Sequence, residues 1–225
     1  STVTMINLID LTSIEAIRES WGDSKPSYTV FVAKAVAMAL MEFPEVNKRL
    51  FKPLGFLPRK FQVFNTVDMA IASEVTDPKY AHVAYIGIMP DVHVKSLKQI
   101  QDWLRVFRKT ESVEQWKIFS SVISKMPSFL SKIIVWLPTF YPKYWIKYRG
   151  GVCTISSPAK YGVDMLVAAW SSPIGISFGF VKDRVIVKKG KTVVVPSFNL
   201  TLNFDRRIIS GAQGAKLIAR ISEIL

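Results

Sequence analysis

The sequence predicts an α/β domain, and three observations carry that reading. Residues Tyr28 to Glu42 place Phe31, Val32, Ala35, Val36, Ala39 and Leu40 on one broad apolar stripe, the spacing of a packed helix. Near the other end, Leu200, Leu202 and Phe204 alternate with Thr201 and Asn203, the period of a strand with one apolar face. Directly after it Leu217, Ile218, Ile221, Ile224 and Leu225 return to helical spacing, so a strand, a polar turn and a docked helix follow one another. With 225 residues, 49% of them hydrophobic, the chain can bury a substantial core. It shows no internal repeat or low-complexity linker, so 1–225 is read as one domain.

From the N-terminus, Thr2 to Asp10 reads as a strand, with Thr12 or Ser13 as the N-cap of a helix that ends near Trp21 and Gly22. A polar loop containing Pro26 leads into the Tyr28 helix. Phe61 to Glu74 reads as paired strand material, Thr76 to His82 as a turn, Val83 to Ile88 as a strand, and Ser96 to Phe107 as a helix. The stretch 115–149 is basic and aromatic, and no acidic residue occurs between Glu114 and Asp164. Pro138 and Pro142 interrupt it, which favours a helix-and-loop insertion over one long amphipathic helix. Ile174 to Val181 and Val185 to Val187 are the next strands, joined to the last one by a hairpin turn at Lys188 to Lys191.

The terminal turn, Asp205-Arg206-Arg207-Ile208-Ile209-Ser210-Gly211, resembles the C-terminal motif of the 2-oxoacid dehydrogenase acyltransferases, the catalytic domain of E2 subunits. There the pattern is Asp-His-Arg-x-x-Asp-Gly. The resemblance extends to Ala35 through Asn47, where a long helix ends in a proline turn, to Val67 to Ala72, to Ser96 to Ile100, and to Gly150 to Ser157. It implies a two-layer mixed sheet with helices packed on one side, like chloramphenicol acetyltransferase. It also implies a homotrimer with sites between subunits, and coenzyme A or an acyl thioester as ligand. Ser156 falls at the family's oxyanion hydroxyl, Arg206 where the general-base histidine belongs, and Ser210 where the aspartate belongs. A guanidinium only donates hydrogen bonds, so the resemblance implies a non-catalytic trimeric scaffold or an acyl- or coenzyme A-binding protein. The alternative within the family is an acyltransferase of altered chemistry in which Arg206 binds an anionic donor.

The balance of 30 Lys and Arg against 17 Asp and Glu gives a formal charge of +13, which favours acidic partners. A protein partner, an acyl carrier or an anionic membrane surface would meet Trp136, Phe140, Tyr144 and Trp145, whose rings alternate with lysines as at a bilayer interface. Charge alone supports nucleic acid, and no nucleic-acid motif accompanies it. No signal peptide is visible at Ser1, and no apolar run approaches the roughly 20 residues that span a bilayer, so the chain is expected to be soluble or peripheral. Cys153 is the only cysteine and points to a reducing, cytoplasmic setting, with membrane association as an option. No glycine-rich phosphate loop, metal-spaced His and Cys set, or Gly-x-Ser-x-Gly elbow occurs. The only histidines, His82 and His93, are read as loop residues.

Overall fold

A computed structural model describes residues 2–51, 58–74, 84–108 and 121–225. In chain order its elements are β1 (Thr2–Asp10), α1 (Thr12–Ser20), α2 (Tyr28–Glu42), β2 (Lys48–Phe51), β3 (Lys60–Val63), β4 (Met69–Glu74) and β5 (Ala84–Met89). There follow α3 (Leu97–Phe107), α4 (Ser128–Phe140), α5 (Pro142–Arg149), β6 (Cys153–Ser156), β7 (Ile174–Phe178), β8 (Lys182–Lys188), β9 (Lys191–Asp205) and α6 (Gly211–Ile224). The predicted turn at Thr76 to His82, with His82 itself and Val83, lies outside the described residues.

Seven strands form a mixed sheet in the order β1-β9-β7-β6-β4-β5, with β8 paired to the first half of β9; β2 and β3 make a separate hairpin. The β4–β6 and β6–β7 pairs are parallel and the others antiparallel. Helix α6 packs on β1 and β9, α2 packs on α6 and α3, and α2 is buried nearly all round rather than along one stripe. The β8–β9 hairpin turns through Lys189 and Gly190, both at positive φ (49° and 77°), the backbone that matches the twist of the strands it joins.

Strand β9 is the middle of the structure. Phe198, Leu200, Leu202 and Phe204 are buried on the helix side, each side chain contributing about 1.5–3 kcal/mol. The alternation predicted a polar face in water. Instead Thr201 and Asn203 are as buried as their apolar neighbours. The reason is the crossover between β6 and β7, which holds one short 3-10 turn (Ala159–Tyr161) and otherwise runs as irregular chain over the second face of the sheet. Ser177 Oγ donates to Leu166 O at 2.6 Å, and Thr154 and Ser172 share a hydroxyl hydrogen bond at 2.7 Å. Trp170 lies directly on β7: a Cβ on Gly175 would stand 1.7 Å from its ring, which is why glycine occupies that strand position.

Three local expectations are corrected. Neither Thr12 nor Ser13 caps α1; Asp10 accepts from Thr12 N at 3.0 Å and from Thr12 Oγ1 at 2.6 Å, so the capping oxygen sits two residues earlier. Pro138 lies inside α4 within its last turn, and the helix breaks only between Phe140 and Pro142, which opens α5. Trp145 is not an outward contact. It is 1% exposed, donates Nε1–H to Gly151 O, and meets Phe51 edge-on at 6.5 Å, so α5 is fastened to the core through it.

Candidate functional site

The loop from Asp205 to Ser210 keeps a definite shape because its two ends are hydrogen-bonded. Asp205 accepts from Arg207 Nε through both oxygens (2.9 and 3.0 Å), from Arg207 Nη2 (2.5 Å) and from the Arg207 backbone N–H (3.0 Å). The Arg207 guanidinium holds the Asp205 carboxyl below its ordinary range. Ser210 is the N-cap of α6: its hydroxyl accepts from Gln213 N, and Gln213 Oε1 accepts from Ser210 N, the capping box that Ser96 and Gln99 repeat at α3. Ile209, fully buried, pins the loop to the core. Arg206 lies between them, exposed, with no hydrogen bond or ion pair among the described residues.

Ser156 is elsewhere. It ends β6 opposite Ser177, which pairs in turn with Thr201, whereas Arg206 lies five residues beyond Thr201. With about 3.3 Å per residue and 4.8 Å between strands, one chain keeps Ser156 and Arg206 on the order of 15 Å or more apart. His93 follows β5, four positions from β9 in the sheet and thus on the order of 19 Å from it, and accepts from Val67 N through Nδ1 at 3.3 Å. Cys153 is fully buried and its thiol is pushed well up by that burial, so it is no nucleophile. Trp136 and Tyr144 stand exposed and Phe140 is half-buried. No helix among the described residues is long and apolar enough to cross a membrane, and those residues hold no cluster of metal-binding side chains.

Beside the Asp205 loop lies a cavity of about 340 Å³, lined among others by Arg49, Phe140, Trp170, Asn203, Asp205 and Arg207. The Arg49 guanidinium stacks 3.2 Å over Trp145 and donates from Nη1 to Ser171 O at 3.1 Å. Burial first, and then the like charge of Arg149, bring its pKa down to about 10, so it remains a cation at neutral pH. Thr4 Oγ1 donates to Asn203 Oδ1 at 2.7 Å, which turns Asn203 Nδ2 away from β1.

The family described as 2-oxoacid dehydrogenases acyltransferase (catalytic domain) matches residues 1–112 and 146–225. The chain belongs to this acyltransferase family. An acetyltransferase component of pyruvate dehydrogenase complex from Rhizobium meliloti is 32% identical over 203 residues, covering 88% of this chain and 37% of that one. The corresponding Buchnera aphidicola component is 22% identical over 234 residues, covering 99% and 50%. The chain thus spans half or less of the length of these relatives. Among solved structures, a probable dihydrolipoamide acetyltransferase from Listeria monocytogenes aligns with TM-score 0.71 at 19% identity, over 100% of this chain and 83% of that one. The cubic core of the pyruvate dehydrogenase multienzyme complex gives 0.70 at 19%, over 99% and 80%. A chloramphenicol acetyltransferase gives 0.59 at 12%, over 100% and 88%, so the two-layer mixed-sheet fold is that of the acyltransferase family.

The family match leaves out 113–145, the segment that holds α4. Arg49 and Trp170 escaped the sequence reading because neither lies in the motif. Gly175 inside a strand was the available signal for a group pressed onto the backbone there.

Proposed function

We propose that this chain is a trimeric scaffold of the acyltransferase family that has lost ordinary acyl transfer and retains a pocket for coenzyme A or an acyl thioester without turnover. Arg206 carries the reading. At the position of the family's base it offers hydrogen-bond donors only and has no lone pair with which to take a thiol proton. Among the described residues no neighbour replaces it: Asp205 is engaged by Arg207, His93 follows a strand four positions from β9 in the sheet, and Cys153 is buried. Ser156 is assigned the family's oxyanion position, where a hydroxyl alone has no alkoxide or thiolate attack to stabilise. The separation of Ser156 from the Asp205 loop within one chain supports a site completed between subunits, and the resemblance in fold to a cubic core supports a symmetric assembly. Phe129, Ile133 and Trp136, exposed on α4, are assigned to docking another protein.

The test is transfer of acetyl from acetyl-CoA to dihydrolipoamide. The wild-type chain is expected to show none above the uncatalysed background. Arg206→His combined with Ser210→Asp should gain it, because Asp caps a helix as well as Ser does and both positions are exposed. Wild-type transfer that disappears in Ser156→Ala would overturn the scaffold reading in favour of a working acyltransferase in which Arg206 binds an anionic donor.

A further inference from the structure

Helix α4 leaves its apolar side open. Phe129, Leu130, Ile133, Ile134, Trp136 and Leu137 are all between 38% and 62% exposed. At roughly 100° per residue they share an arc of about 160°, the breadth of a helix face that ordinarily packs against a core. The far side of the helix is the one turned to the domain: Pro138 is buried there, and the Val135 carbonyl accepts from Arg149. With roughly 150–250 Å² to an aromatic side chain, Phe129 and Trp136 alone leave on the order of 250 Å² uncovered, and the four aliphatic residues continue the same patch. An open apolar patch of several hundred Å² marks an interaction site. α4 lies wholly in the segment that the family match leaves out, so this surface belongs to the chain and not to the family pattern.

The charges narrow the partner. Every charged side chain from 121 to 149 is a cation, namely Lys125, Lys132, Lys143, Lys147 and Arg149. None of them forms an ion pair among the described residues. A second copy of the chain would bring the same cations to the contact and set like charge against like. A helix lying in a bilayer interface has a polar face rich in Lys and Arg, whereas Lys132 is the only charge on α4, and its 13 residues are too few to cross a bilayer. We propose that α4 docks an acidic amphipathic helix of a partner protein. The apolar side of that helix lies on the arc from Phe129 to Leu137, and the carboxylates along its flanks meet Lys132 and the exposed lysines of α5, which packs against α4. This rests on the docking role already given to α4 and names the chemistry of what docks there.

Calorimetric titration of the whole chain with two panels of synthetic amphipathic helical peptides tests this. Both panels carry leucine along one side; one has glutamate along the flanks and the other lysine, and phosphatidylserine vesicles are run alongside. The glutamate peptides are expected to bind about tenfold or more tightly than the lysine peptides, and to weaken several-fold as salt is raised and the charges are screened. Trp136→Ala removes the largest anchor and should weaken the glutamate peptides about tenfold. Lys132→Glu with Lys143→Glu should reverse the preference between the panels, a change that a merely structural role of these lysines would not produce. All three positions are exposed, and thermal melts establish that the variants are folded. Equal affinity for the two panels, or a preference unmoved by the double charge reversal, would overturn the acidic partner and leave the docking role of α4 standing. Vesicles bound while neither panel is would assign the surface to a membrane and overturn both. No binding of peptides or vesicles by folded wild type would also overturn both. Acetyl transfer does not enter this readout, so the loss of catalysis is judged separately.

Discussion

Asp205 and Ser210 divide the work of one short loop. Asp205 folds it by accepting four hydrogen bonds from Arg207, and also accepts through its backbone carbonyl from the N–H groups of Ile208 and Ile209. Ser210 ends the loop by capping α6. The residue between them is therefore free to change chemistry without changing the backbone, which is how an arginine can stand at Arg206 in an otherwise familiar turn. The Asp205 pair also sets a pH dependence. The carboxyl is lowered on folding, so its stabilisation is present above the unfolded value near 4 and lost as pH falls through the still lower folded value. Asp205→Asn is expected to melt below wild type at pH 7, and the gap should close as the pH is taken from about 4 downward. A gap that stays constant to pH 2.5 would show that the carboxylate charge is not what holds the loop.

At the scale of elements, α4 and α5 look alike in sequence and fare differently in the fold. α5 is eight residues with Pro142 in its first turn, and it inserts Trp145 between Arg49, Phe51 and Gly151. α4 is more apolar yet leaves Trp136 62% exposed and Ile133 57% exposed, held to α5 in part by Arg149 Nη2 donating to Val135 O at 3.2 Å. Burial decides what each tryptophan contributes. Trp145→Ala is expected to cost about 3–5 kcal/mol in denaturant unfolding, because it empties a packed site and leaves the Gly151 carbonyl without its donor. Trp136→Ala should stay within about 0.5 kcal/mol. Equal losses would mean that α4 is covered within the folded protein, and that its apolar face is not a docking surface.

For the whole molecule, the proposed trimer predicts a solution mass of three times the 25.4 kDa chain, measurable by sedimentation at moderate salt. A monomer would leave Ser156 and the Asp205 loop apart and remove the basis for a site between subunits. The sequence by itself determined the elements that follow from local rules. The 3.6-residue spacing gave α2 and α6, because helical contacts are made within a few residues, whereas the capping role of Ser96 and Ser210 emerged only from the structure. It also determined the terminal motif and its departures at Arg206 and Ser210, since these are matters of residue identity. Tertiary structure alone decided that neither face of β9 meets water at Leu200 to Phe204, because the crossover that covers Thr201 and Asn203 comes from some thirty residues earlier in the chain. It alone took Trp145 into the core while leaving Trp136 outside. It alone brought Arg49, Trp170 and Asn203 to one cavity, from segments more than thirty residues apart whose meeting is set by strand order and not by any local pattern.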